Sequence, residues 1–336
     1  RSVALLSYIF DSYRAGELFF RALVAARERG VQVRVMIDDV GSKYSSPNMV
    51  QRLREADVKC AAFFPSRFGR LPTNMRNHRK ILVVDGEIGF TGGTNIREGH
   101  VLGLSPKTPV QCVHFKLSGA VVSQLQRVFA LDWAYEVGEL LSGEDWFPDV
   151  QRAGPVWARG IEHGPDENFE KLPLLIAAAL ASARRRVRIV TPYFLPNASL
   201  IQALNVAALR GVQVEVYIPS KNNIPVVQWA TMAQLWQILE NGVHVYQTAA
   251  PFDHTKLMIV DEIWSLIGST NWDPRSLRLN FEFNVECYDP TLAQVLNDIV
   301  DGKAADSRQV TLDEVNSRSF PVRLRDGMAR LLTPYL

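Results

Sequence analysis

Two short stretches of the chain carry the same chemically versatile residues at the same spacing. Residues 78–95 read HRKILVVDGEIGFTGGTN, and residues 254–271 read HTKLMIVDEIWSLIGSTN. Both follow the pattern H-x-K-x4-D-x6-G-[GS]-x-N, and every shared position is offset by 176 residues. Because chance does not produce two such copies at one offset, we interpret the chain as an internal duplication.

Each copy combines groups that suit an anionic tetrahedral group such as a phosphate. In the first copy, His78 and Lys80 lie two residues apart at a predicted strand, where alternate side chains share a face. Asp85 ends that strand, and a glycine turn before Asn95 would let the backbone approach a ligand. An imidazole, an ammonium and an amide donor could together bind and attack a phosphodiester.

Two copies related by a pseudo-two-fold axis would surround one phosphate and support a two-step displacement. One imidazole, His78 or His254, would attack phosphorus to form a phosphohistidine, while the other transferred the protons. Four side chains would hold the phosphate oxygens: Lys80, Lys256, Asn95 and Asn271. We predict no metal or other cofactor, since the remaining histidines have no partner at ligand spacing. These are His100, His114, His163 and His244.

The helices and strands that position these groups are predicted to alternate along the sequence. The sequence RGVQV occurs at Arg29–Val33 and again at Arg210–Val214, each time closing a predicted helix and opening a buried strand. This pattern predicts an α/β protein made of two βαβ-type halves. We place the halves at 1–148 and 149–336, since residues 142–168 are polar and bear Pro and Gly, as expected of a linker or a long ordered loop.

Composition narrows the function classes. With 336 residues, 47% apolar and 21% charged, the chain is typical of a soluble globular protein of about two domains. A net charge of only +2 disfavours a nucleic-acid partner. Its three cysteines form no disulfide framework and fit a reducing compartment. The apolar run Leu172–Ala183 is too short to cross a bilayer and predicts a core helix. Because the chain opens on Arg1, we expect a longer protein whose N-terminal anchor lies outside this sequence.

At the doubled motif the chain resembles the phospholipase D superfamily, and most closely its bacterial cardiolipin synthase branch. The resemblance rests on SYIFD (7–11), IDDVGS (37–42), RNHRKILVVDG (76–86), TPYFLP (191–196), FDHTKLMIVD (252–261) and STNWDPRSLRLNFEFNVE (269–286). It implies two tandem α-β-α-β-α sandwich halves with one active site at their seam. It also implies a phosphatidyl-histidine intermediate, with His78 and His254 as the catalytic pair and His78 as the nucleophile.

The resemblance also implies roles for three carboxylates. Asp85 and Asp261 complete the catalytic motifs and are expected to be mostly buried, supporting their loops. Glu282 stands where the family places an acid that orients a catalytic imidazole. In the first half Cys112 stands where an acid is expected, and a thiol is a weak hydrogen-bond partner. The sequence leaves open whether these contacts lie within a half or between halves.

Three features favour a lipid substrate. One is the low net charge, and another is a set of apolar segments expected near the mouth of the site: 61–72, and a helix over 224–242. The apolar residues of that helix are Val227, Trp229, Met232, Leu235, Trp236 and Leu239. They suit either a membrane interface or the core. The third is a run of arginines that could attract anionic headgroups: Arg67, Arg70, Arg76 and Arg79.

The leading hypothesis is a phosphatidyltransferase of the cardiolipin synthase type that uses phosphatidylglycerol at the bacterial cytoplasmic membrane. We expect a peripheral or N-terminally anchored protein that binds a phospholipid and the membrane surface and no nucleic acid. The alternatives are a hydrolytic phospholipase D, a nucleic-acid phosphodiesterase and a non-catalytic lipid-binding module. The preference for transfer over hydrolysis rests on the resemblance alone.

Overall fold

The computed structural model describes residues 1–65 and 74–335. Its strands are β1 Ser2–Ser7, β2 Gln32–Asp38, β3 Lys59–Phe63, β4 Arg76–Asn77, β5 Ile81–Val84, β6 Ile88–Gly92, β7 Val110–Gln111, β8 His114–Ser118, β9 Trp157–His163, β10 Arg186–Val190, β11 Gln213–Pro219, β12 His244–Thr248, β13 Phe252–Asp253, β14 Leu257–Val260, β15 Trp264–Gly268, β16 Asn280–Tyr288 and β17 Arg308–Val310.

The α-helices are α1 Arg14–Glu28, α2 Met49–Glu55, α3 Val121–Val137, α4 Lys171–Ser182, α5 Ala198–Leu209, α6 Pro225–Gln234, α7 Trp236–Leu239, α8 Pro274–Arg278, α9 Pro290–Ala305, α10 Leu312–Asn316 and α11 Phe320–Leu331. Short 3-10 helices cover Gly41–Tyr44, Glu98–His100, Leu102–Leu104 and Thr333–Tyr335. The predicted core helix is confirmed as α4, in which Leu172, Ile176 and Leu180 are buried.

Each half builds a sheet with the same arrangement. In the first, β1, β2 and β3 are parallel, and β5, β6 and β8 continue from β1 as antiparallel strands. In the second, β10, β11 and β12 are parallel, and β14, β15 and β16 continue from β10 in the same way. The predicted α/β fold of two equivalent halves is thereby confirmed.

The halves share one apolar core. Ile81 and Val83 of β5 belong to the same buried cluster as Leu257 and Ile259 of β14. Helices α3 and α9 contribute further apolar residues to this cluster. Since burial of a shared apolar surface opposes separation, the two motifs are held in a fixed relation.

The stretch 142–168 is not only a linker. Residues Trp157–His163 form β9, which pairs antiparallel with β16 along its whole length. Its residues, WARGIEH, do not alternate between apolar and polar, and the pairing depends on a strand more than a hundred residues away. The boundary between residues 148 and 149 stays a prediction.

Two segments that were expected near the mouth of the site have apolar residues buried in the protein. Within the helix predicted over 224–242, Val227 and Leu235 are buried, and Trp236 is exposed. In the stretch 61–72, Phe63 is buried, and residues 66–72, with Arg67 and Arg70, lie outside the described residues.

Candidate active site

Both motif histidines line one cavity of about 850 Å³, whose wall is built from both halves. His78 and His254 are each more than nine-tenths buried, and Asn95 and Asn271 line the same wall. Of the six side chains that the duplicated motif was expected to place around one phosphate, these four line the cavity, and Lys80 and Lys256 do not.

A short strand pairing between the halves sets the position of His78. Strand β4 runs parallel to the start of β16, and the backbone N–H of His78 donates to the carbonyl of Phe281 at 2.9 Å. The next residue of β16 is Glu282, and its carboxylate oxygens lie 2.9 and 3.1 Å from Nδ1 of His78. With Nδ1 engaged, Nε2 is the nitrogen of His78 left for a ligand.

Glu282 is a fully buried carboxylate held by a small polar network. Besides His78, it accepts hydrogen bonds from Ser269 Oγ at 2.5 Å and from Asn280 Nδ2 at 3.1 Å. Burial alone raises the pKa of Glu282, but the neighbouring His78 and Lys80 outweigh burial and lower it. Glu282 therefore stays ionised, and it contacts the histidine of the other half.

His254 is positioned by the equivalent strand pairing, but among the described residues a backbone carbonyl, and not a carboxylate, orients its ring. Strand β13 runs parallel to β7, and the N–H of His254 donates to the carbonyl of Gln111 at 2.8 Å. Nδ1 of His254 lies 2.9 Å from the carbonyl oxygen of Gly93. Because a carbonyl only accepts, Nδ1 carries the proton and Nε2 keeps its lone pair.

Cys112 occupies the position equivalent to Glu282, one residue beyond the pairing strand β7. Its thiol donates to the carbonyl of His254 at 3.2 Å. Cys112 and Glu282 thus occupy equivalent positions, and their contacts run between halves. That Cys112 replaces an acid stays a prediction. Among the residues that the structure describes, no carboxylate is recorded bonded to the His254 ring.

The motif lysines are buried and contact the backbone of the motif histidines. Lys80 Nζ donates to the carbonyl of His78 at 2.5 Å, and Lys256 Nζ donates to that of His254 at 2.7 Å. Burial lowers the pKa of Lys80 to about 7 and that of Lys256 to about 8, since nearby acids only partly offset it. Two buried ammonium groups favour an anion above them.

Burial also keeps the imidazoles neutral. It lowers the pKa of His78 to about 4 although Glu282 opposes the shift, and it lowers the pKa of His254 well below the ordinary value, assisted by Lys256. A neutral imidazole has the lone pair that nucleophilic attack requires.

The asparagines differ in how they are held. Asn95 Oδ1 accepts from the backbone N–H of Ile9 at 3.4 Å, and Asn271 Nδ2 donates to Ser276 Oγ at 3.2 Å. Oδ1 of Asn271 is buried with no protein partner in the described chain. Phosphate binding by both asparagines stays a prediction.

Asp85 and Asp261 do not line the cavity, contrary to their place in the predicted catalytic set. Asp85 accepts from the N–H of Ser2 at 2.9 Å, and Asp261 accepts from those of Arg184, Arg185 and Arg186 at 2.8, 2.8 and 3.0 Å. Both carboxylates are partly exposed and lie at the other end of β5 and β14 from the histidines. Each one holds the start of the neighbouring strand, β1 or β10.

Sequence reasoning missed several groups around the cavity. Tyr8 and Tyr193 line its wall, with ring centroids 5.1 Å from that of His78 and 6.2 Å from that of His254. Asp273 also lines it, and burial raises its pKa to about 6. These residues lie in stretches that carried the family resemblance, which was the available signal.

Of the predicted basic run, Arg76 lines the cavity and Arg79 does not. Arg79 is buried and donates to both carboxylate oxygens of Asp132 at 2.7 Å, while Asn77 Nδ2 donates to the same carboxylate at 2.8 Å. Arg79 therefore anchors the first motif instead of attracting headgroups.

One histidine excluded as a ligand does have neighbours. His100, Cys112 and His254 offer ligand atoms within 4.8 Å of one another, and Nδ1 of His100 is buried without a partner. Two imidazoles and a thiolate suit Zn²⁺. However, Lys256 and Lys80 add to burial in lowering the pKa of His100 to about 3, and the same repulsion acts on a metal cation. The cavity is better matched to an anion.

We expect Gly93→Ala to reduce kcat roughly 100-fold, because displacement of a reacting group by about 1 Å has effects of this size. A Cβ at Gly93 would lie 2.7 Å from both the carbonyl oxygen of His254 and Sγ of Cys112. Gly302→Ala, whose Cβ would meet nothing within 4 Å, is the control. Steady-state turnover of a phosphodiester substrate measures the effect. Parental activity in Gly93→Ala would contradict the claim that this close approach positions His254.

Comparisons with known proteins agree with this geometry. The family described as "Cardiolipin synthase, PLD-like domain" matches residues 1–133 and 176–303. Major cardiolipin synthase ClsA of Bacillus subtilis is 36% identical over 99% of this chain and 70% of that protein. A cardiolipin synthase of Staphylococcus aureus is 34% identical over 98% of this chain and 67% of that protein. A solved phosphatidylserine synthase of Haemophilus influenzae shares the fold, with a TM-score of 0.78 and 15% identity over 100% of this chain and 90% of that one. The chain therefore belongs to the phospholipase D-like family of cardiolipin synthases.

Proposed function

We propose that the chain is a phosphatidyltransferase that joins two phosphatidylglycerols into cardiolipin through a phosphohistidine. The observation that carries the proposal is the cavity in which both motif imidazoles have Nδ1 engaged and Nε2 left free for a phosphodiester. The names of the relatives support the substrate, and the buried Lys80 and Lys256 support an anionic group at that point.

In the proposed first step, Nε2 of His78 attacks phosphorus and the bond from phosphorus to the glycerol oxygen breaks. His254 donates a proton to that oxygen, so free glycerol leaves and a phosphatidyl group remains on His78. In the second step, a hydroxyl of another phosphatidylglycerol gives its proton to His254 and attacks phosphorus. His78 is released unchanged.

We assign the nucleophile to His78 because its imidazole becomes cationic as the nitrogen–phosphorus bond forms. Glu282 stabilises that charge directly, whereas among the described residues the group at the corresponding nitrogen of His254 is the carbonyl of Gly93. His254 must hold a proton before glycerol leaves. A bound phosphate, being negative, raises the low pKa of His254.

Product analysis tests the proposal. The purified chain is incubated with vesicles of glycerol-labelled phosphatidylglycerol, with and without EDTA, and the lipids are measured by mass spectrometry. We expect cardiolipin and free glycerol in equal amounts, unaffected by EDTA. Phosphatidic acid with glycerol would instead identify a hydrolytic phospholipase D, and vesicle binding without turnover would identify a lipid-binding module.

We expect kcat/KM to fall with rising pH already between about pH 5 and 7, because His254, the proton donor, has a pKa well below its ordinary value in the free enzyme. Above pH 7 to 8 the loss of protons from Lys80 and Lys256 should steepen this fall, and below about pH 4 protonation of His78 removes the nucleophile. In kcat the basic limb should move to higher pH, since bound phosphate raises the pKa of His254 and of both lysines.

Lys80→Arg is the control for the pH profile, because a guanidinium keeps its charge. In this variant the basic limb should steepen only near pH 8, where Lys256 loses its proton. An unchanged basic limb in this variant would show that the limb does not come from Lys80.

We further propose peripheral association with the bacterial cytoplasmic membrane. The support is the name of the relatives, cardiolipin synthase, which names a lipid product. No α-helix in the described ranges is long and apolar enough to cross a bilayer.

A further inference from the structure

Helix α11 exposes a continuous apolar face. Phe320, Leu324, Met328 and Leu331 are 77%, 54%, 62% and 78% exposed, and Leu332 follows at 50%. Their spacing of three and four residues puts them along one side of the helix. Single exposed apolar residues are ordinary, but a row of five large ones marks a surface that binds something. We name these five residues the α11 stripe.

The opposite face of α11 is fixed to the protein, so the helix cannot turn to bury the stripe. Ala329 packs in a buried cluster with Val227 and Ala230 of α6. Asp326 is buried beneath the helix and pairs with the guanidinium groups of Arg318 and Arg325. These contacts lock the rotation of α11 about its axis.

Helix α11 lies beside elements that line the catalytic cavity. Val227 packs with Ala329 of α11 and also lines the cavity, and Ile224, which lines it too, is 40% exposed. The 3-10 helix Thr333–Tyr335 after α11 contacts α8, whose Ser276 lines the cavity. The helix that carries the stripe and the cavity are therefore neighbours.

The charges beside the stripe indicate its partner. Arg323 and Arg330 are exposed on α11, and no ion pair is recorded for either within the part of the chain that the structure describes. An apolar helix face flanked by arginines matches a bilayer surface that contains anionic lipids. A protein partner could bind the apolar face without the flanking arginines.

We propose that the α11 stripe inserts into the headgroup region of an anionic bilayer and brings the cavity mouth to the lipid surface. The proposal rests on the proposed function, since a phospholipid substrate must reach His78 from a membrane. It also relocates the membrane contact from the helix predicted over 224–242, whose apolar face is used mainly against the protein.

The test is a triple variant, Phe320→Ser, Leu324→Ser and Leu331→Ser, measured by co-sedimentation with vesicles of phosphatidylglycerol and phosphatidylcholine. We expect the bound fraction of the full chain to fall about tenfold or more, since apolar burial carries interfacial binding. The matched control is Leu131→Ser, Leu140→Ser and Leu209→Ser, three leucines elsewhere that are 57%, 82% and 71% exposed. We expect the control to bind like the parent.

A second variant tests the charges without touching the apolar face. Arg323→Gln with Arg330→Gln should weaken binding to anionic vesicles and leave binding to pure phosphatidylcholine vesicles unchanged. Unaltered vesicle binding by the triple variant would overturn the proposal. So would a change of oligomeric state in that variant with vesicle binding intact, because the stripe would then join two copies of the chain.

Turnover of a short-chain phosphatidylglycerol below its micelle concentration separates this proposal from the proposed function. The triple variant should turn over this dissolved substrate at the parental rate while losing activity on vesicles. If the parent turns over no substrate and the vesicle results hold, the proposed chemistry fails and the docking surface stands. If turnover is normal and the triple variant still binds vesicles, the docking surface alone fails.

Discussion

His78→Ala is expected to lower turnover of phosphatidylglycerol by roughly 10⁵-fold, an effect typical of the loss of a nucleophile. The other motif imidazole, His254, cannot compensate fully, because it would have to act as nucleophile and proton donor at once. The loss should appear in kcat, since the lysines and asparagines that are proposed to bind the phosphate are intact.

The matched control for this variant is His244→Ala. His244 is partly exposed, contacts Gln309 and does not line the cavity. We expect the control to keep parental activity. If His78→Ala retained activity within tenfold of the parent, His78 could not be the nucleophile.

Glu282→Gln is expected to lower kcat roughly 10³-fold with little change in KM. The carboxylate can only accept the proton on Nδ1 of His78, which leaves the lone pair on Nε2. A glutamine amide can donate to Nδ1 instead, which places the proton on Nε2 and blocks attack on phosphorus. It also removes the negative charge that stabilises the cationic intermediate.

Cys112→Ser at the equivalent position provides the contrast. Because the ring of His254 is oriented by the carbonyl of Gly93, the variant should change kcat by only a few fold. Equal losses in Glu282→Gln and Cys112→Ser would show that the two histidines are not oriented by different groups. A free energy of unfolding close to the parent's in both variants is the check on folding.

The sequence was most informative where one local pattern repeats. The doubled motif predicted two equivalent halves and a common site for His78 and His254. The two histidines line one cavity because each lies at the same end of an equivalent strand in its own sheet. The same pattern could not show that Glu282 serves the histidine of the other half. That contact depends on the two-residue strand β4 pairing with β16, and no local signal marks such a pairing.

Other parts of the site depend on what surrounds a residue. Asp85 and Asp261 belong to the motif but bind backbone N–H groups away from the cavity, and Arg79 is neutralised by Asp132. His100 lies beside His254 only after the chain folds, with ring centroids 5.5 Å apart. Residue type and spacing define a face of a strand, but the partner that the face meets is a property of the tertiary structure.

The most direct measurement of the central proposal is covalent trapping on the His254→Ala variant. This variant is given a phosphatidyl ester with a good leaving group, such as p-nitrophenol, quenched in base and digested for peptide mass spectrometry. We expect a base-stable, acid-labile phosphatidyl group on the peptide that contains His78, because attack no longer requires a proton donor but release still requires a base. No adduct on His78, or an adduct on another residue in this variant, would contradict the proposal that the two imidazoles act in turn on one phosphate.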